Sequence, residues 1–211
     1  MPDPSVARRR PPRPEREAAI LDAAFAEFAA RGFAATRLDD LAARLGIAKG
    51  TLYLYFPSKE ALFEAAVRRR MAEPLAAIEA EAGAATDGGR GALPALLGMV
   101  AVLQRELRRP GPLEVMRLLV AEAPRFPQLA AFYHRAVVRR ALGALRRVLE
   151  AGEARGELRA GAALDLPQLL VAPLLQAALW RLVFGQAGIP PMDGPALEAA
   201  HREMLERWLR P

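Results

Sequence analysis

The stretch between Gly32 and Pro57 most constrains how this chain folds. Gly32, Gly46 and Pro57 punctuate it, leaving helical pieces only about two turns long. Helices that short are unstable alone in water and must be held by packing. Their apolar residues supply the contacts. Leu38, Leu41, Ala42 and Leu45 form one stripe, Ile47 anchors the turn after Gly46, and Leu52 and Phe56 share an inner face. Thr36 stands at the N-cap position of the first short helix, with Asp39 three residues on, an acidic variant of the capping box.

Longer helical patterns flank this stretch. A first helix begins near Glu15 and carries Leu21, Phe25 and Phe28 at helical spacing. Ser58 caps a fourth helix that runs to about Ala80, and a Gly-rich loop over 83–91 follows. Further helices are predicted over 92–108, 113–121, 126–152, 167–184 and 196–209. No strand alternation interrupts them, and aromatic residues are only 6% of the 211, so the chain reads as all-α. Three segments result: a Pro- and Arg-rich arm over 1–14 that includes Arg8, Arg9, Arg10 and Arg13, a first domain over 15–74, and a second over 75–211.

With Leu52 and Phe56 turned inward, Lys49, Gly50, Thr51, Tyr53 and Tyr55 are left for the outer surface of the second short helix. Two short helices joined at a Gly turn form a helix-turn-helix, whose second helix fits the major groove. A cation, a hydroxyl and two phenols suit phosphates and base edges. The net charge of +6 agrees with a polyanionic partner. All but two of the 30 basic residues are arginine, and the two lysines, Lys49 and Lys59, both lie in this region. Lys59 sits in the first turn of a helix, where the dipole disfavours a cation unless a phosphate is held there too.

At these residues the chain resembles the TetR family of regulators. The resemblance covers about 50 residues from Arg16 to Val67: Arg31-Gly32-Phe33, Thr36, Leu41-Ala42, Gly46-Ile47, Lys49-Gly50-Thr51-Leu52-Tyr53, Tyr55-Phe56 and Ser58-Lys59-Glu60. It implies a homodimer with an N-terminal three-helix DNA-binding domain and a C-terminal helical domain for ligand binding and dimerisation. Such a protein is usually a repressor released from a double-stranded DNA operator by a small-molecule effector. By the same resemblance, Thr36 and Arg37 meet phosphate or nearby edges. Lys49, Gly50 and Thr51 open the recognition helix, Tyr53 lies in the groove, and Tyr55 and Lys59 bind phosphate. The family often has Ser or Thr where this chain has Ala48, so the recognition helix lacks a side-chain cap. Leu54 replaces a residue that is often polar or basic. Residues 113–159 further resemble a C-terminal body called AefR-like. The basic arm is either a solvated tail or lies in the minor groove or along phosphates.

The second domain carries no catalytic constellation, which argues against an enzyme and implies no cofactor. With no cysteine, and with His134 and His201 far apart, no metal site is expected. The most apolar segment, 169–184, contains Pro173, Gln176 and Arg181 and is too short for a good membrane span. Prolines follow Arg8–Arg10 where a signal peptide needs apolar residues, so a cytoplasmic protein is expected. Met99, Leu103, Met116, Leu119, Phe126, Phe132, Tyr133, Gln176 and Trp180 are candidates for an effector pocket. Leu166, Leu170 and Leu174, with the stripe Leu197, His201, Met204 and Trp208, are candidates for a dimer surface. The alternative reading is a helix-turn-helix protein acting mainly through a protein partner.

Overall fold

The computed structural model describes residues 13–192 and 194–211, and every regular element among them is helical. Residues 1–12 of the expected arm lie outside the described residues. Arg13 and Pro14 instead open the first helix, where proline's fixed φ is favourable. The chain divides after Val67 into two compact units.

In the first unit, α1 (Arg13–Ala35) buries Ile20, Leu21, Ala24, Phe25 and Phe28 on one face. Its helical path breaks at Gly32, whose φ of 80° favours glycine. The hydroxyl of Thr36 donates to the Gly32 carbonyl at 2.7 Å and lies 3.4 Å from that of Glu27. Thr36 therefore closes the end of α1. It is not the N-cap of α2 (Leu38–Arg44), a position taken by Arg37 with no side-chain bond. Asp39 and Asp40 in the first turn suit the α2 dipole.

Gly46, at φ 64°, makes the turn after α2. The amides of Gly46 and Ile47 donate back to Ala43 and Ala42 at 3.1 and 3.0 Å, satisfying the helix end. Then α3 (Lys49–Tyr55) follows, uncapped by Ala48 and held by the buried Leu52. Glu27, only 5% exposed, fixes α2 against α1. Its carboxylate meets Arg44 at 2.6 Å and Arg31 at 2.8 Å, and Arg44 also donates to the Ala23 carbonyl at 3.0 Å.

Ser58 caps α4 (Lys59–Thr86) by accepting the Ala61 amide at 3.0 Å. This helix passes through Pro74 and Gly83, so the expected loop shrinks to the residues after Thr86. Phe63 on its second turn closes a ring cluster with Phe28 and Phe33, at centroid distances of 5.3 and 5.4 Å. The change of unit falls within α4.

The second unit holds α5 (Ala92–Arg108), α6 (Pro110–Glu122), α7 (Pro127–Tyr133), α8 (Arg139–Ala154), the short α9 (Ala162–Asp165), α10 (Ala172–Phe184) and α11 (Pro195–Leu209). Its core centres on α5 against α8, with Leu96, Met99 and Val100 on one side and Leu145, Val148 and Leu149 on the other. Gly152 permits that approach, since a Cβ there would lie 2.5 Å from that of Ala92. The Arg159 amide donates to the Leu209 carbonyl at 2.9 Å and ties down the end of α11.

Three boundaries differ from those the periodicity predicts. Pro110 and Pro112 form the first turn of α6 rather than a spacer before it. The single helix expected over 126–152 contains a π turn, His134–Val138, between α7 and α8. The helix expected over 167–184 is a 3-10 turn, Pro167–Leu170, then α10, which restarts beside Pro173.

Candidate nucleic-acid interface and effector cavity

The outer face of α3 presents Lys49, Gly50, Tyr53 and Leu54 to solvent, while Thr51 and Tyr55 are half-buried. Lys49 Nζ pairs with Asp39 at 2.7 Å, and the hydrogen bond and charge of that carboxylate raise the lysine pKa. The ammonium stays cationic and keeps protons for a further acceptor. A Cβ on Gly50 would meet nothing within 4 Å, so nothing in the first unit requires glycine there. Tyr53 is 42% exposed. Leu54, at 80%, is the most exposed large apolar residue among the described residues. Two residues after Leu52 is about 200° around a helix, so Leu54 points away from the face that buries Leu52.

Three other predicted contacts fall differently. Arg37 is exposed beside α2. Thr36 is buried and its hydroxyl is spent on the end of α1, so its side chain is not a DNA contact. Lys59 is half-buried, donates to the Ala34 carbonyl at 3.0 Å and lies 4.8 Å from the Phe33 ring centre. It braces the last turn of α1 beyond Gly32, a role its position in the sequence did not reveal.

The second unit encloses a cavity of about 300 Å³, at the small end of sites that hold small molecules. Leu103, Met116, Leu119 and Tyr133 line it as expected. Five candidates do not. Met99 and Phe132 are core residues, and Gln176 is exposed. Phe126 lies against Arg125, and the Trp180 indole donates to the Pro190 carbonyl at 3.1 Å. The wall instead takes Met71, Pro74, Leu75 and Ile78 from α4, and Glu106 from α5.

Of the expected dimer residues, Leu170, Leu174 and His201 are buried within their own unit. The His201 Nε2 lies 3.0 Å from the Leu170 carbonyl, and burial pushes the ring's pKa below its ordinary 6.5. These three present no surface to a second copy. Leu166 and Met204 are exposed, and Leu197 and Trp208 are half-buried. The exposed apolar stripe of α10 is Leu175, Leu179 and Val183.

Residues 20–66 match the model of the bacterial regulatory proteins, tetR family. Residues 86–202 match that of the tetracyclin repressor-like C-terminal domain, more than half of the chain. The chain belongs to the TetR family.

The TetR assignment makes the chain a helix-turn-helix, DNA-binding transcriptional regulator. Its first unit is similar to the HTH-type transcriptional regulator RutR of Escherichia coli K12, with 46% identity over 54 residues. That stretch is 26% of this chain and 26% of RutR, so the match spans about a quarter of the relative's length. Two solved structures of transcriptional regulators share the fold over nearly the whole chain. One is a transcriptional regulator from Saccharomonospora viridis in complex with choline, with TM-score 0.70 and 22% identity over 93% of this chain and 98% of that one. The other is FadR from Bacillus subtilis in complex with stearoyl-CoA, with TM-score 0.69 and 20% identity over 89% and 96%. The AefR-like resemblance gains no support from these matches. Among the described residues no helix is long and apolar enough to cross a membrane.

Proposed function

We propose that this TetR-family chain is a repressor that binds a palindromic operator as a symmetric homodimer in the cytoplasm and releases it when a small effector enters its second unit. The observation that carries this reading is the outer face of α3. A helix too short to stand alone is held by the buried Leu52, leaving Lys49, Gly50, Tyr53 and Leu54 outward. Lys49 and Tyr53 reach base edges or phosphates, and the open space beside Gly50 admits the DNA backbone. Thr51 lies at the groove-facing start of the helix, and Arg37, Tyr55 and Lys59 meet phosphates around it. The α10 stripe, with Leu166 and Met204, forms the two-fold surface. The cavity in the second unit supports an effector site, as do fold neighbours solved with choline and with stearoyl-CoA.

Selection of bound duplexes from a random pool tests the reading. The expected result is an inverted repeat whose half-site centres lie about 34–36 Å apart, or a multiple of that. Two chains should sediment with each duplex. Failure to enrich any sequence, or a single chain per duplex, rejects the proposal.

A further inference from the structure

We propose that the cavity of the second unit takes a neutral, largely hydrocarbon molecule whose hydrogen-bond acceptor is met by the Tyr133 hydroxyl. This rests on the effector reading above and specifies the chemistry of its ligand.

The lining is apolar except at two residues, Tyr133 and Glu106. Among the described residues, no protein group hydrogen-bonds the Tyr133 hydroxyl. Burial raises its pKa to about 12, so the phenol keeps its proton and remains a donor at neutral pH. A ligand acceptor beside this donor gains a hydrogen bond against an otherwise apolar wall. The π turn starts immediately after Tyr133, and its Val137 and Val138 share the cavity wall. Such turns often occur at functional sites.

Glu106 offers no free counter-charge to a ligand of either sign. It is 2% exposed, and its carboxylate is held by Arg105 Nε at 3.1 Å and by Arg109 at 3.2 Å. Neither arginine belongs to the lining. An anion entering the cavity therefore loses its hydration and meets no cation on the lining. A cation finds that carboxylate already engaged by two guanidinium groups and loses its own hydration without a counter-charge. A neutral molecule meets neither cost. Val120 is an exposed lining residue outside the proposed two-fold surface and marks an apolar rim.

The test compares octanol, octanoate and octyltrimethylammonium, which share a chain and differ in head-group charge, by calorimetric titration of the full-length protein. Octanol should bind, and each ion should bind about tenfold more weakly or worse. Tyr133→Phe should weaken octanol about five- to tenfold, the loss of one hydrogen bond. It should leave binding of octane, which has no acceptor, unchanged. Leu142→Trp, which places an indole in the cavity, should abolish octanol binding, and melting curves check that both variants are folded. The proposal is overturned if octanol fails to bind, if either ion binds as tightly as octanol, or if Tyr133→Phe leaves octanol unaffected. Binding of the selected duplex is measured on the same preparations. Duplex binding without octanol binding rejects the ligand chemistry and leaves the regulator standing, and the reverse outcome rejects the regulator alone.

Discussion

Phe28→Ala lowers the stability of the first unit by about 3–5 kcal/mol and abolishes operator binding. Phe28 is fully buried, and its ring lies 5.7 Å from that of Phe33 and 5.3 Å from that of Phe63. It therefore joins the body of α1, its last turn beyond Gly32 and the start of α4. Truncation leaves a ring-sized void among side chains that sit on three different segments and cannot all collapse into it. The seven-residue α3 has no side-chain cap and depends on that scaffold for its existence. Domains of this kind are stable by about 5–15 kcal/mol in all, so the loss removes a large share. Both tryptophans, Trp180 and Trp208, lie in the second unit and do not report on the first. Urea unfolding followed by circular dichroism is the suitable measurement. An early transition should appear in the variant, and a shift below about 1 kcal/mol with intact operator binding would count against the packing argument.

A ligand seated in the cavity lowers operator affinity by about 5–150-fold, the usual range of coupling between sites. Met71, Pro74, Leu75 and Ile78 form part of the cavity wall, and Leu62 and Phe63 belong to the first unit's core. All six lie on α4, and Pro74 removes one of that helix's backbone hydrogen bonds within the lining segment. Movement of this wall is thus transmitted along one continuous helix. In the proposed dimer two recognition helices enter successive grooves with one fixed spacing, so a small change in α4 weakens both contacts together. Linkage requires the reciprocal effect, in which operator weakens the ligand by the same factor. Octanol titrations with and without the selected duplex should differ by that factor. Leu142→Trp should remove the response while operator binding persists. Equal octanol affinity in both titrations would refute the coupling.

The helical architecture was legible because apolar spacing and Gly or Pro punctuation marked the longer helices, though not the short α9 or the break between α7 and α8. The outer face of α3 followed from turning Leu52 and Phe56 inward, which leaves Gly50, Tyr53 and Leu54 on the other side. Leu54 could have been placed by that argument, but chemical expectation favoured polar groups there. What failed had local causes. A hydroxyl such as that of Thr36 can serve the end of one helix or the start of the next, and spacing does not decide between them. The phase of α10 was missed because the break at Val171 shifts the outward stripe from Leu170 and Leu174 to Leu175 and Leu179. Buried Met99 and Phe132 differ from cavity-lining Met116 and Tyr133 only in tertiary packing, which periodicity does not encode. The contribution of α4 to the cavity carries no polar signature in the sequence.

The central claim is that the outer face of α3 reads DNA sequence. Its most direct test is fluorescence anisotropy of the selected duplex and a scrambled one, across a series of salt concentrations, with the native chain and with Lys49→Ala and Tyr53→Ala. The native chain should prefer the selected duplex by about 10³-fold or more, and its affinity should fall steeply with salt. Each variant should lose about 1–3 kcal/mol of that discrimination where it contacts a base, with unchanged melting. Equal affinity of the native chain for both duplexes, or full discrimination retained by both variants, would contradict the account.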